Sequence, residues 1–196
     1  MEVFDAIAKR RSIRRFTSDP VREEVLNRML EAANLAPSTH NVQPWHFIVI
    51  REKALQNDLK AAVNAVIDAA SAEADAEKAA DYQGQKFFAT SVFEAPVTIA
   101  AVTWPVGSPA AGAQPMIASG LLSTAAAVTQ LNLAAVDLGY GCCWSTLPLT
   151  WARAEIESIL EIESPKTIAL LLSIGVPKKS PKDITRKPAE ELITFR

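Results

Sequence analysis

The sequence predicts one mixed domain in which amphipathic helices pack on short apolar strands, and three observations lead there. Apolar residues recur at helical spacing along residues 19–36 and 54–67, and the long stretch 116–138, uncharged before Asp137, reads as a buried helix. Bulky apolar runs at 47–50, 95–102 and 167–174 have the length and β-branched content of strands with at least one buried face. The third is size and composition: 196 residues, 49% hydrophobic and 21% charged, fit a folded chain with a sizeable core and a single domain over 1–196. A formal net charge of −2 gives no general case for nucleic acid, so any anion site must come from local clustering. No charged-then-apolar leader pattern opens the chain. Cys142 and Cys143 are adjacent, where a mutual bridge would be strained, and read as reduced thiols of a cytoplasmic protein. His40 and His46 lack the ligand spacing of a zinc site, and no metal is expected.

Taken in order, Val3, Phe4, Ile7 and Ala8 give a short helix with one apolar face. It runs into Lys9-Arg10-Arg11-Ser12-Ile13-Arg14-Arg15, where a continued helix would set Arg10 and Arg14 one turn apart. Such a cluster suits either forked bonds to a phosphate or a solvated basic helix end. Asp19 is the expected N-cap of the next helix, with Pro20 at its first position, and Val21, Val25, Met29, Ala32, Ala33 and Ala36 make its apolar stripe, widened by Leu26 and Leu30. Then comes Ala36-Pro37-Ser38-Thr39-His40-Asn41-Val42-Gln43-Pro44-Trp45, a loop fixed at both ends by proline. Its hydroxyls and amides suit a flat polar ligand, and equally a polar turn that binds nothing. Trp45, Phe47 and Val49 alternate with His46, Ile48 and Ile50, as on a strand.

A helix is expected over 54–80, with Leu55, Leu59, Val63, Val66 and Ile67 as its stripe and an exposed, Ala- and Glu-rich second half. That second half reads as a solvated helix or as a lid. The strand at 95–102 leads to a loop marked by Pro105, Gly107, Pro109, Gly112 and Pro115. Residues 116–138 carry no charge before Asp137, yet Ser119, Ser123, Thr124, Thr129, Gln130 and Asn132 favour a buried helix over a membrane span. A strand ending in a turn is expected over 139–148, a helix over 151–160, and a buried strand over 167–174 closed by Gly175 and Pro177. A basic tail follows: Lys178, Lys179, Lys182, Arg186 and Lys187. No Gly-x-Gly-x-x-Gly turn, Gly-x-x-x-x-Gly-Lys loop or Gly-x-Ser-x-Gly elbow occurs, so Rossmann, P-loop and Ser-His hydrolase readings lack support.

Arg10-Arg11-Ser12-Ile13-Arg14, followed about two dozen residues later by the Pro37-Ser38-Thr39-His40-Asn41-Val42-Gln43 loop, resembles the nitroreductase family of FMN-dependent oxidoreductases. The resemblance implies an α+β fold, helices around a mainly antiparallel central sheet, in an intertwined homodimer. It implies FMN at the dimer interface, with Arg10, Arg11, Ser12 and Arg14 matching the arm that holds its phosphate and ribityl groups. Pro37, Ser38, Thr39, Asn41 and Gln43 match the loop that reaches the flavin from the partner subunit. Trp144, Ser145 and Thr146 match the turn whose backbone donors face the flavin, and Arg186 matches a phosphate-binding arginine. Residues 189–196 resemble an arm around the partner, and the alanines with Gly120 would let two core helices approach closely. Basic segments at opposite ends of a slightly negative chain are what a phosphate site built from both would produce. The chemistry implied is ping-pong transfer from NADH or NADPH to nitroaromatics, quinones or similar small acceptors, with no acid or base residue named and Arg14 beside the flavin N1 and O2. Other family tasks remain open: dehalogenation, enone reduction and flavin fragmentation, or flavin binding without turnover. No nucleic-acid or membrane partner is expected.

Overall fold

Two nearly unbroken apolar runs, β2 (Val97–Thr103) and β4 (Thr167–Gly175), form the middle of a four-stranded sheet. The edges are β1 (Trp45–Ile50) and β3 (Gly141–Ser145), in the order β1-β2-β4-β3. Every neighbouring pair is antiparallel. The computed structural model describes residues 1–107, 116–179 and 184–196. Pro109, Gly112 and Pro115 of the expected loop, and Lys182 of the tail, lie outside them.

Helices cover both faces, which is why the central strands read as continuous apolar runs rather than alternating ones. On one face α2 (Glu23–Asn34) and α5 (Ile117–Asp137) pack Met29, Ala33, Val128 and Leu131 against Ile99, Leu170 and Leu172. On the other, α3 (Lys53–Glu73), α4 (Ala76–Thr90) and α6 (Leu147–Ile159) enclose Leu59, Ile67, Phe93, Ile156 and Leu171. The register shifts between Ala101, which faces Leu170, and Val102, which faces Ile168. Ala169 is the extra residue of a β-bulge, so Ile168 and Leu170 serve opposite cores although they are two apart. The α+β architecture with an antiparallel sheet agrees with the sequence expectation.

Local boundaries differ in instructive ways. The first long helix begins at Glu23, not at Pro20: Asp19 accepts a hydrogen bond from the Thr17 hydroxyl at 2.7 Å and caps no helix. The single helix expected over 54–80 is two. The chain breaks at Ala74 (ψ 160°), and Asp75 restarts it by accepting from the Lys78 N–H at 2.9 Å. Gln56 of α3 is buried but satisfied, donating to the Ala95 carbonyl and the Thr98 hydroxyl at 3.1 Å each. Gly120 does not admit a second helix; a Cβ there would lie 2.0 Å from the Trp104 carbonyl oxygen of its own chain. α5 is, among the described residues, the one helix long and apolar enough to cross a membrane, and it packs instead on α2 and the sheet.

Candidate functional site

The helix α1 (Val3–Lys9) stops where the arginines begin, because Arg10 leaves helical geometry at ψ 127°. Arg11 turns back to cap it, donating to the Ala8 and Arg10 carbonyls at 2.5 and 2.9 Å. Arg10 and Arg14 therefore do not share a helix face; the segment runs extended beside β3. Ser12 forms a parallel bridge with Cys142, and Ile13 N–H donates to the Cys142 carbonyl at 2.9 Å. Farther on, Thr17 N–H donates to Val176 O at 2.9 Å and Lys178 N–H to Arg15 O at 3.0 Å. Gly141 makes room for this arm, since a Cβ there would sit 2.7 Å from Ile13.

These pairings bring the two basic ends of the chain together. Arg10, Arg11, Ser12, Ile13, Arg14 and Arg15 line a cavity of about 730 Å³ with Lys178, Lys179, Ile184 and Arg186. Among the described residues its lining holds seven cationic side chains and no carboxylate. Among the described residues Arg10, Arg14, Arg15 and Arg186 make no ion pair. Such uncompensated guanidiniums favour a bound anion through forked, charge-assisted bonds. Arg15, Lys178 and Lys179 were legible only as parts of basic runs; their place on one cavity comes from the backbone pairing.

Trp144, Ser145 and Thr146 lie next door. With Arg14, Phe88, Ser91, Val92, Cys143, Leu147 and Ser173 they line a second hollow of about 230 Å³, so Arg14 serves both spaces. Cys142 and Cys143 are free and buried. Burial pushes the Cys142 thiol far above its ordinary range, with the neighbouring Cys143 adding to the effect. The Cys143 thiol is also raised by burial, against the opposing influence of Arg14 and a hydrogen bond with Ser12.

The Pro37 loop is placed elsewhere. His40, Asn41 and Gln43 all have positive φ (52°, 56° and 51°), left-handed values that non-glycine residues adopt only when held. The holding is visible. Gln43 N–H donates to the Ser38 hydroxyl at 3.0 Å and Thr39 N–H to the Ser123 hydroxyl at 3.3 Å. The buried Pro44 carbonyl accepts from both Thr103 and Thr124 at 3.0 Å. The Gln43 amide donates to the Asn41 side chain at 3.3 Å, keeping both amides on the exposed side of the loop. Ser38 and Thr39 are half-buried and Pro37 is exposed. This loop enters β1 where Trp45 pairs with Thr103, whereas the arginine arm meets β3 where Cys142 pairs with Ile174. Those are diagonally opposite corners of the sheet, three strand spacings or roughly 14 Å apart across it. One chain does not unite the two motifs.

The family model for the Nitroreductase family matches residues 7–176. The chain is 51% identical over 57 residues to an NADH dehydrogenase of Thermus thermophilus, an alignment covering 29% of this chain and 28% of that protein. It is 31% identical over 173 residues to a 5,6-dimethylbenzimidazole synthase of Rhodobacter capsulatus, covering 86% of this chain and 80% of that one. Among solved structures, a BluB-like flavoprotein of Clostridium difficile 630 superposes with a TM-score of 0.87 at 30% identity, covering 100% and 99% of the two chains. An FMN- and NADPH-dependent nitroreductase of Sphigopyxis sp. strain HMH shares the fold with a TM-score of 0.81 at 21% identity, covering 100% and 99%.

Proposed function

The chain belongs to the nitroreductase family, and on that footing we propose that it is an FMN-dependent oxidoreductase acting on a small-molecule acceptor. The electron donor is NADH or NADPH, and the acceptor a nitroaromatic, a quinone or a similar compound. The observation that carries this reading is the basic groove built from both ends of the chain. The residues present fit a phosphorylated planar cofactor: the guanidiniums of Arg10, Arg14 and Arg186 suit its phosphate, and about 730 Å³ is ample for a ligand of that size. Arg10, Arg11, Arg14 and Arg186, with the Ser12 hydroxyl, would hold it. FMN, when bound, supplies the redox chemistry that the chain's own side chains lack. The chain's part is electrostatic and positional. Arg14, which borders the groove and the hollow at Trp144, Ser145 and Thr146, would stabilise negative charge where the two spaces join.

The working unit is a homodimer of single-domain chains, in the cytoplasm. Its support is the diagonal separation of the arm from Pro37, Ser38, Thr39, Asn41 and Gln43, which a second copy can bridge. Exposed apolar residues on α1 and α5, among them Phe4 (82% exposed) and Leu122 (73%), supply a surface for that copy. The visible spectrum of the purified protein tests the cofactor: bound oxidised flavin that releases FMN at about one per chain is expected. A colourless protein that takes up no added FMN would overturn the reading. Steady NADH or NADPH oxidation that depends on an added acceptor tests the activity.

A second reading is favoured by the 31% identity with the 5,6-dimethylbenzimidazole synthase. In it the flavin is itself the substrate and is fragmented. Incubation with excess reduced FMN and oxygen distinguishes the two, since only fragmentation consumes the isoalloxazine ring.

A further inference from the structure

The last turns of α4 place Phe87 and Phe88 side by side in sequence, so their side chains leave the helix about 100° apart and cannot share one buried face. Both stay about half exposed, at 50% and 52%. Their rings meet edge to face, with centroids 5.3 Å apart and planes at 78°. Each ring faces one of two consecutive arginines. The Arg14 guanidinium lies 5.9 Å from the Phe88 centroid, and that of Arg15 lies 5.8 Å from the Phe87 centroid.

We propose that Phe87 and Phe88 are positioning residues that aim Arg15 and Arg14 at the anion held in the basic groove. The inference rests on the reading of that groove as an FMN site. Crowded cations, with no carboxylate among the described residues of the lining, repel one another and would disperse into solvent. A ring face attracts a guanidinium without consuming any of its N–H donors, so the fork stays available for phosphate. A carboxylate in the same place would have spent those donors and cancelled the charge. The platform itself is fixed. Lys86 and Gln83 of α4 both bind Asp68 of α3, at 2.5 and 2.9 Å, and Gln85 accepts from the Trp151 indole at 3.2 Å.

The test titrates protein freed of flavin with FMN and with riboflavin, following flavin fluorescence at several salt concentrations. Phe87→Leu/Phe88→Leu keeps apolar bulk but removes both ring faces; Phe87→Tyr/Phe88→Tyr keeps them. The leucine pair is expected to weaken FMN about tenfold, to weaken riboflavin less and to flatten the salt dependence of FMN binding, while the tyrosine pair follows the wild type. The single leucine variants should each show part of the loss. Wild-type FMN affinity and salt slope in the leucine pair overturn the proposal. So does an equal loss of FMN and riboflavin, which would mark the rings as merely structural. Should the wild type bind neither flavin, the cofactor reading fails on its own. Calorimetry with inorganic pyrophosphate then decides the ring proposal: weaker binding by the leucine pair than by the tyrosine pair sustains it, and equal binding ends it.

Discussion

Arg14 is the residue on which the two hollows converge, and its replacement is the sharpest single test of the site. Arg14→Ala is expected to lower FMN affinity or shift the flavin reduction potential negative, read by fluorescence titration and by equilibration with redox dyes. Unchanged values for both would remove it from this role. The cysteines give a second, independent check. Burial raises both thiols, so the reactive thiolate is suppressed and a disulfide reagent near neutral pH should label neither until the chain is unfolded. Rapid labelling of the native protein would contradict the packing of β3 against the arm. At the loop, Thr124→Val should cost about 1 kcal/mol, because Thr103 still serves the Pro44 carbonyl. Thr103→Val with Thr124→Val leaves that carbonyl buried without a partner and should cost roughly 3 kcal/mol, measured by urea unfolding.

The sheet and the helix stripes were legible because burial leaves a mark that period-matching can find. Met29, Leu59, Val63 and Ile67 fall where the stripes put them, and β2 and β4 where the apolar runs put them. Helix starts were less legible. Asp19-Pro20 has the composition of a cap, but Thr17 competes for the carboxylate, and nothing in the local sequence ranks one partner over the other. The break at Ala74 is marked only by Asp75, hidden in a run of residues that all favour helix. Gly120 was misassigned for a different reason: sequence shows that a residue is small, never which neighbour needs the space. Gly120→Ala should destabilise by about 3 kcal/mol in urea unfolding, since the new methyl meets the Trp104 carbonyl of the same chain. A negligible loss would mean that the end of β2 shifts easily to accommodate it.

For the molecule as a whole, the two motifs legible in sequence occupy opposite corners, which sequence order alone gives no way to foresee. The exposed apolar faces of α1 and α5 predict a dimer of the 21.2 kDa chain by sedimentation. Leu122→Asp, on the exposed face of α5, should yield monomers with unchanged far-ultraviolet dichroism and much weaker FMN binding. Monomers that bind FMN as well as the parent would place the complete site within one chain. The arm at Arg10 is held by residues of β3 and by the segment after β4, so its partners emerge from the ribosome late in synthesis. A nascent chain halted at Gly175 would already carry every strand of the sheet, yet lack Lys178, Lys179 and Arg186. A chain ended at Gly175 is therefore expected to fold its sheet yet bind FMN much more weakly than the full chain in a fluorescence titration, and a bulky tag grafted beside Arg186 should weaken FMN binding without unfolding anything.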